Sequence, residues 1–479
     1  MDGAGRIGKK TMGTINSAIS LITGALNADQ VALNVTSSNV SNASNEAYTR
    51  EVPNWSENQP IYINGIAQGT GVTVTGGVSQ RDRVLNQRLD QQQQLSASST
   101  SLLSALTTLQ SGFTPASSST TTGNIGTDIT NFFDSYTQLE SAPASNPLRQ
   151  QVLSSATALA GDISSTAASL NAQQSSLDQS ATTVVAQVNA IATSLAQVNQ
   201  EIQSASPNQD AGTLEDQRQS DLSQLSQLVG INQITTEQNG LSVTTTGGQL
   251  LASEGNAFQI TSGEVNGVTH FFLGTTDITA ALASGGGQLG GILTARDQSI
   301  PTTLASLDQL AYGLATQVNT INNAGTDLVG DNGNAGNIFN APTQVAGSAA
   351  ALQVVLTDPN KIAAAGLGLG TGDDSNAVAA AALGTQGIIN GETPSNFYSN
   401  LVSTLGATVS ETTTLNTALT ASVSQLQSQV NSLSGVSLDD EASNLEEFQR
   451  SYQAASQVFT ILNSVMASAL NLGVETAVA

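Results

Sequence analysis

Both ends of the chain carry an apolar stripe at helical spacing, and this feature limits most strongly what the chain can fold into. The spacing of three or four positions places these residues on one face of a helix. A lone helix of such length is only marginally stable in water. We therefore expect the stripes to cover each other as a coiled coil, with a remaining apolar face for neighbouring copies. The C-terminal stripe is Leu445, Phe448, Tyr452, Ala455, Phe459, Leu462, Met466 and Ala469; the N-terminal one is Ile15, Ile19, Ile22, Leu26, Leu33 and Val40.

Further helical rows occupy the interior of the sequence. A narrow stripe from Ile163 to Ile202 predicts one long helix. A second row runs from Leu304 to Ile321, with Pro301 in the first turn, where the missing proline N–H does no harm. A weaker row spans Leu85 to Leu109, and a further helix is expected from Phe397 to Leu433.

Between these rows lies a centre rich in glycine and β-branched residues. The stretches "GLSVTTTGGQLLAS" and "GVTHFFLGTTDIT" predict β-hairpins, whereas "DLVGDNGNAGNIFNAP" and "GLGLGTGDDSNAV" are typical of loops. Helices on both sides return from this centre to the helical body, so the centre reads as an insertion.

The 479 residues are too many for one core and suggest two to four domains of roughly 100–200 residues. We predict a mainly α fold with a β-rich insertion: terminal helices paired as a coiled coil, a long helical-bundle body and an outer β domain. The predicted divisions are 1–11, an unmatched leader or tag; 12–50 with 437–479, the terminal assembly domain; 51–230 with 286–330 and 391–436, the helical body; and 231–285 with 331–390, the β-rich outer insertion.

Composition excludes several classes of partner and site. The net charge is −24, and such an acidic chain repels nucleic acid and anionic lipid, so neither is expected as a partner. Cysteine is absent, which excludes disulfides and thiolate metal sites. Only 10% of residues are charged, so a polar surface can be buried against another subunit at little desolvation cost. No apolar run approaches the roughly 18 residues of a membrane span.

The N-terminal segment imitates a secretory signal, because Lys9 and Lys10 precede an apolar stretch that ends near "ALNAD". The apolar face continues past that point, which favours a retained helix. Residues 1–11 fit neither pattern and are interpreted as a tag or an upstream start, with Met12 as the natural first residue. No residues predict catalysis, a cofactor or a metal site. The single histidine, His270, is expected in or near a core, and "DNGNAG" from Asp331 lacks the ligands of a calcium loop.

Two stretches at the chain ends resemble those of bacterial flagellar axial proteins, which comprise rod, hook and hook-associated proteins. They are "ALNADQVALNVTSSNVSNASNEAYTR" and "GVSLDDEASNLEEFQRSYQAASQVFTILNSVMASALNL". Two others, "LEDQRQSDLSQLSQLVGI" and "GGQLGGILTARDQSIPTTLASLDQLAYGLATQVNTINNAG", resemble hook-associated members and have no counterpart in rod and hook proteins. The likeness covers Ile15 to about Ile338 and Phe397 to Leu472. This chain departs from the pattern at Ala47, where relatives have Gly, and at Glu446 with Glu447.

The resemblance implies a structural subunit that joins hook to filament as a helical ring. Its implied partners are copies of itself, the hook protein, the second junction protein and an export chaperone. It would lie outside the cell, exported by flagellar type III secretion without a cleaved signal. The alternatives are another axial protein, namely the hook protein or the second junction protein, or a surface adhesin or hydrolase that carries flagellar-type terminal helices.

The stretch "NVSNASNEAYTR" predicts the seam where the first helix ends. Asn39, Asn42 and Asn45 suit a helix end, because asparagine tolerates left-handed backbone and bonds to local backbone groups. Tyr48 and Arg50 are expected to anchor the outgoing segment against a neighbour. The expected assembly interface comprises Ile15, Ile19, Ile22, Leu26, Leu33, Asn39, Val40, Asn42, Tyr48, Arg50, Leu445, Phe448, Tyr452, Phe459, Leu462 and Met466.

Overall fold

The computed structural model describes residues 4–45, 47–63, 66–113, 124–205, 210–236 and 239–475. Helices dominate these residues. They are α1 Ala4–Asn42, α2 Arg83–Ser111, α3 Ile125–Glu140, α4 Asn146–Ala205, α5 Thr213–Leu228, α6 Thr279–Gly285, α7 Gly287–Thr294, α8 Ile300–Ala324, α9 Ser348–Ala351, α10 Ser375–Ala382, α11 Pro394–Ser434 and α12 Leu438–Glu475. The strands are β1 Glu51–Glu57, β2 Ile61–Ile63, β3 Ile66–Gln68, β4 Val72–Ser79, β5 Ile231–Thr235, β6 Leu241–Thr245, β7 Leu250–Ser253, β8 Asn256–Ala257, β9 Ile260–Val265, β10 Val268–Leu273 and β11 Thr276–Asp277.

The two ends of the chain meet in the fold. Helix α1 packs against α12, and the antiparallel ribbon of β1 and β4 packs on α1. The predicted pairing of the terminal helices is thus confirmed. Helix α11 leads back toward the ribbon along α2 and is separated from α12 by only three residues, 435–437.

The long helix α4 links two hydrophobic cores. Its 60 residues extend about 90 Å at 1.5 Å per residue. The N-terminal half contributes Val152 to Leu170 to a core shared with α3 and α8. The C-terminal half contributes Ala181 to Ala196 to a second core shared with α5, α7 and the strands after Gly230. One helix therefore holds the body and the insertion in a single frame.

The strands after Gly230 form the predicted β-containing insertion. They make a four-stranded antiparallel sheet in the order β5-β6-β7-β8 and a three-stranded sheet in the order β11-β10-β9. The β9–β10 hairpin turns at Asn266 and Gly267, whose φ values are 52° and 79°. Two successive positive φ values suit a two-residue hairpin turn, for which Asn-Gly is favoured. Both predicted hairpin stretches therefore form strands.

Residues 331–390 differ from the predicted β-rich structure. Apart from isolated bridges, they form turns, the short helices α9 and α10 and one 3-10 turn, Pro359–Lys361. Their apolar residues, among them Phe339 and Ile362, lie in the first core. Side chains of α8 satisfy the backbone groups that a sheet would otherwise pair: Asn319 accepts from the N–H groups of Ile338 and Phe339 at 2.9 and 3.0 Å.

Two other segments also differ from the sequence prediction. Residues 51–79, placed in the helical body, form strands, because their alternating β-branched residues pack as a ribbon on α1. Helix α8 does not begin afresh near Pro301: it continues from α7 through a π-helical turn, Ala295–Ser299. A wider turn makes room for a proline ring that would clash inside a regular helix. The division into domains stays a prediction.

Candidate assembly site

The end of α1 is built by asparagines, as the sequence predicts. Helix α1 ends at Asn42, whose side-chain amide donates to the carbonyl of Ser38 at 3.0 Å. The N–H of Asn45 bonds to the Asn42 carbonyl at 2.8 Å, and the Asn45 side chain accepts from the Ala47 N–H at 3.2 Å. These local bonds turn the chain out of the helix and into the path of β1.

Asn39 is the hub of this turn and is 1% exposed. Its amide nitrogen donates to the Glu51 carbonyl at 2.8 Å and to Glu441 Oε2 at 3.1 Å. Its amide oxygen accepts from the Tyr48 hydroxyl at 2.9 Å and from the Glu51 N–H at 3.0 Å. All four hydrogen-bonding positions of the amide are therefore used. One side chain joins α1, the outgoing strand and α12.

Arg50 and Glu441 add a charge pair to the same point. Arg50 Nε lies 2.7 Å from Glu441 Oε1, and the two side chains are 26% and 1% exposed. The Arg50 N–H also donates to the carbonyl of Ser434, the last residue of α11, at 2.9 Å. We call Asn39, Tyr48, Arg50, Ser434 and Glu441 the terminal latch. It ties both terminal helices to the strand and helix that enter the body.

The pKa of Tyr48 is raised, chiefly by burial and further by the charges of Glu51, Asp216 and Glu441, against a hydrogen bond with Ser38 that lowers it. The phenol therefore keeps its proton and remains a donor to Asn39 across the physiological range.

A second charged cluster anchors the segment after Tyr48 to the body. Arg81 bonds to Glu215 Oε2 at 2.8 Å and to Asp216 Oδ1 at 2.5 Å. Asp216 Oδ1 also accepts from the Thr49 N–H at 3.2 Å. Burial would raise the pKa of Glu215, but hydrogen bonds from Asn239 and Arg83 and the charges of Arg83 and Arg81 outweigh it and lower the pKa. Glu215 thus stays ionised as a docking point, whereas burial raises the pKa of Asp216 in spite of its bonds with Thr49 and Arg81.

The acid pair of "LEDQR" received no role from the sequence alone. The signal available was two adjacent carboxylates at the first turn of a helix, a pattern that a solvated helix N-terminus explains equally well. Only the fold brings Arg81 onto this pair.

The structure places the predicted interface residues in three groups. Asn39 and Tyr48 are buried within the chain, and Arg50 is bonded to Glu441, so all three contact their own chain where a neighbour was expected. Val40 and Tyr452 are exposed, at 41% and 39%. Ile22 is buried, and the half-buried ones are Ile19, Leu26, Leu33, Asn42, Leu445, Phe448, Phe459, Leu462 and Met466. The side chain of Ile15 lies outside the described residues.

A second apolar stripe on α12 was missed. Val458, Ile461 and Val465 are 45%, 59% and 48% exposed and recur at spacings of three and four. Each precedes a half-buried residue of the first stripe by one position, so the sequence shows a single wide apolar arc. The structure divides that arc into a face that packs on α1 and a face open to solvent. We call Val458, Ile461 and Val465 the open stripe.

The described residues contain no group of three or more His, Asp or Glu side chains able to hold a metal ion. His270 lies on β10 beside the core residue Phe271 and is partly exposed, with its Nδ1 2.6 Å from Asp277 Oδ2. Asp331 pairs with Lys361 at 2.8 Å. No described helix is long and apolar enough to cross a membrane.

Comparisons with known proteins agree with this architecture. The family described as "Flagellar hook-associated protein FlgK helical domain" matches residues 115–339, the segment that contains α3 to α8 and the insertion. Over nearly half of its length the chain is thus similar to flagellar hook-associated protein FlgK. A second family, "Flagellar basal body rod FlgEFG protein C-terminal", matches residues 427–472, which contain most of α12 together with Ser434 and Glu441 of the terminal latch.

Curated relatives carry the same name. Flagellar hook-associated protein 1 of Escherichia coli strain K12 is 29% identical over 67% of this chain, and the match spans 58% of that relative's length. The protein of that name from Bacillus subtilis strain 168 is 25% identical over 93% of this chain and 96% of its own length.

A solved structure of the hook junction protein FlgK from Burkholderia pseudomallei is similar to this chain with a TM-score of 0.62 at 18% identity. The match covers 73% of this chain and 100% of that structure. At this identity the likeness establishes the fold.

Proposed function

We propose that this protein is a structural subunit of the bacterial flagellum that joins the hook to the filament. The observation that carries the proposal is the joining of its two ends: α1 and α12 pack together, the terminal latch holds them to the body, and the open stripe remains uncovered. A paired helical rod with an apolar outer face is suited to stack with further copies. The names of the relatives support the hook–filament junction as the place of assembly.

The working unit is a helical ring of copies, with the hook protein on one side and a second junction protein on the other. The paired helices α1 and α12 of each copy form the inner wall of the ring, and the body and the insertion lie outside it. The chain acts from outside the cell, after type III export without a cleaved signal and with a chaperone on α12. The role is mechanical and uses no catalytic group, cofactor or metal.

A deletion strain tests the junction role. We expect cells that lack the gene to keep their hooks, to lose their filaments and to release unassembled filament protein into the medium. Restoring the wild-type gene returns filaments. Normal filaments in the deletion strain would contradict the proposal.

The same strain separates the junction role from the role of a rod or hook subunit. A rod or hook subunit would leave cells without hooks, which electron microscopy of isolated basal structures detects. An adhesin would leave both hooks and filaments in place while reducing attachment to surfaces.

A further inference from the structure

Two aspartates face each other between α3 and α4. Asp128 lies in the first turn of α3 and is 6% exposed. Asp162 lies on α4, and the two carboxyl groups are within hydrogen-bonding reach of each other. One oxygen of each, Oδ2, is buried without a hydrogen-bond donor among the described residues. Such an orphaned pair of acceptors is costly unless something supplies a donor.

No cation neutralises this pair within the described chain. Arg149, the arginine of α4, donates to the carbonyls of Pro143 and Ile362. Helix α10, which packs on α3, contains no titratable side chain. Helix α11 contributes Tyr398, whose own pKa is raised to about 12 by burial and by the charges of Asp162 and Asp128. The groups that face Asp128 are thus a second acid and a neutral phenol.

A single proton resolves the geometry. Two ionised carboxylates within hydrogen-bonding reach repel each other, and each leaves the Oδ2 atom of the other without a donor. If one carboxyl keeps its proton, its O–H donates to the other, and both orphaned oxygens can be satisfied at once. A protonated acid beside a carboxylate is the usual state of two such groups that share a site.

We propose that Asp128 and Asp162 form a proton-dependent latch that fastens α3 to α4 in the helical body. The latch is closed when the pair holds one proton and open when both groups are ionised. The inference is independent of the junction role, because it concerns the packing of the body helices alone.

The direction of the pH effect follows from the proton. Burial, the hydrogen bond with Asp162 and the charge of Asp162 raise the pKa of Asp128 from 3.8 to about 6. In the unfolded chain the group is ionised above about pH 4. The folded state therefore binds the extra proton between these values, and the stabilisation is lost as pH rises toward and past 6.

The test compares unfolding by urea of the full chain and of Asp128→Asn at about pH 4.5 and about pH 7.5. In the wild type, the rise in the unfolding equilibrium constant between the two pH values should exceed that in the variant by about 30-fold, since each pKa unit counts as a factor of ten. The Asn amide donates to Asp162 without a proton, so the variant should be the more stable of the two at the higher pH. Asp134→Asn, an exposed site on the same helix, is the matched control and should keep the wild-type profile.

The same unfolding measurement on Asp162→Asn is a second test, because this variant retains Asp128 and offers it an amide donor. It should lose the same pH dependence. Identical pH profiles for the wild type and both Asn variants would overturn the proposal. A divalent cation site would also overturn it, and would appear as stabilisation of the wild type, but not of Asp128→Asn, by millimolar MgCl₂ or CaCl₂ at the higher pH.

Discussion

Arg50 and Glu441 are 391 positions apart in the sequence, yet Arg50 Nε lies 2.7 Å from Glu441 Oε1. The Glu441 side chain is 1% exposed, and its other oxygen accepts from Asn39. The contact closes the chain into a loop, so that the rod of α1 and α12 leaves the body at one defined point. The orientation of the rod is therefore set by a few buried polar bonds.

Removing the charge of Glu441 should loosen the start of α12. We expect Glu441→Gln to lower the free energy of local opening by about 1–3 kcal/mol, since hydrogen bonds to charged groups contribute about that much. Hydrogen exchange at the amides of residues 441–446 should then accelerate by about tenfold to a hundredfold. Glu446→Gln is the control: its pair with Arg450 is 70% and 79% exposed, and it should change exchange little. Equal rates of hydrogen exchange in the two variants would contradict a stabilising role of Glu441 in the terminal latch.

Charge placed on the open stripe should block assembly without unfolding the subunit. In Ile461→Asp the new carboxylate remains solvated in the monomer, because Ile461 is 59% exposed. It would be desolvated if a second copy covered the stripe, at a cost of several kcal/mol. We expect normal helicity by circular dichroism and no filament recovery when the variant is expressed in the deletion strain. Ser456→Asp, an exposed site away from the stripe on α12, should restore filaments. Normal filaments with Ile461→Asp would exclude the stripe as a contact surface.

Asp90 should make the seam between α2 and α5 sensitive to pH. Burial raises the pKa of Asp90 to about 6, although amide hydrogen bonds from Gln233 and Gln219 lower it. The raised pKa means that stability falls as pH rises from about 4 to about 6 and is level beyond. We expect the unfolding free energy of Asp90→Asn to change less steeply with pH, by an amount that corresponds to the binding of up to one proton. Urea titration at several pH values measures this slope. An unchanged slope would show that Asp90 is ionised in the folded state at every pH tested.

Two glycines on helices should respond to alanine in opposite directions. A Cβ on Gly291 of α7 would lie 2.2 Å from the Ser98 carbonyl oxygen of α2, so Gly291→Ala should force the helices apart and cost about 1–3 kcal/mol or more. A Cβ on Gly161 of α4 would meet nothing within 4 Å, and Gly161→Ala should stabilise by about 0.5–1 kcal/mol. Thermal unfolding of both variants checks the pair. Equal shifts of the same sign would mean that α2 and α7 do not pack closely.

Helical periodicity was sufficient to predict the long helices. The row from Ile163 to Ile202 lies within α4, and the rows near Leu304, Phe397 and Leu445 lie within α8, α11 and α12. These predictions succeeded because an amphipathic helix is specified locally, by residues three and four positions apart. The two hairpin stretches succeeded for the same reason, since Gly248 and Gly274, both at positive φ, lie in turns only a few residues from the strands that they join.

Residues 331–390 could not be predicted in the same way. Their apolar residues have no regular spacing, and their backbone groups are satisfied by Asn319, Asn322 and Asp308 of α8. Such partners are distant in sequence, so no local pattern indicates them. The strands β1 and β4 were missed because they lie in a segment assigned to the body by its neighbours, although their packing surface is α1.

The sequence by itself determined that the chain has two one-sided terminal helices, a long helical body and a β-containing insertion, because each of these depends on residues close together in the chain. Only the tertiary structure decided which apolar face of α12 is covered and which polar groups hold the ends. Val458 and Phe459 are equally apolar in sequence, but one is exposed and the other is half-buried. Glu441 resembles any acid at a helix start until Asn39 and Arg50, about 400 residues earlier, are brought to it. Burial and long-range pairing are properties of the folded chain, and a local pattern does not contain them.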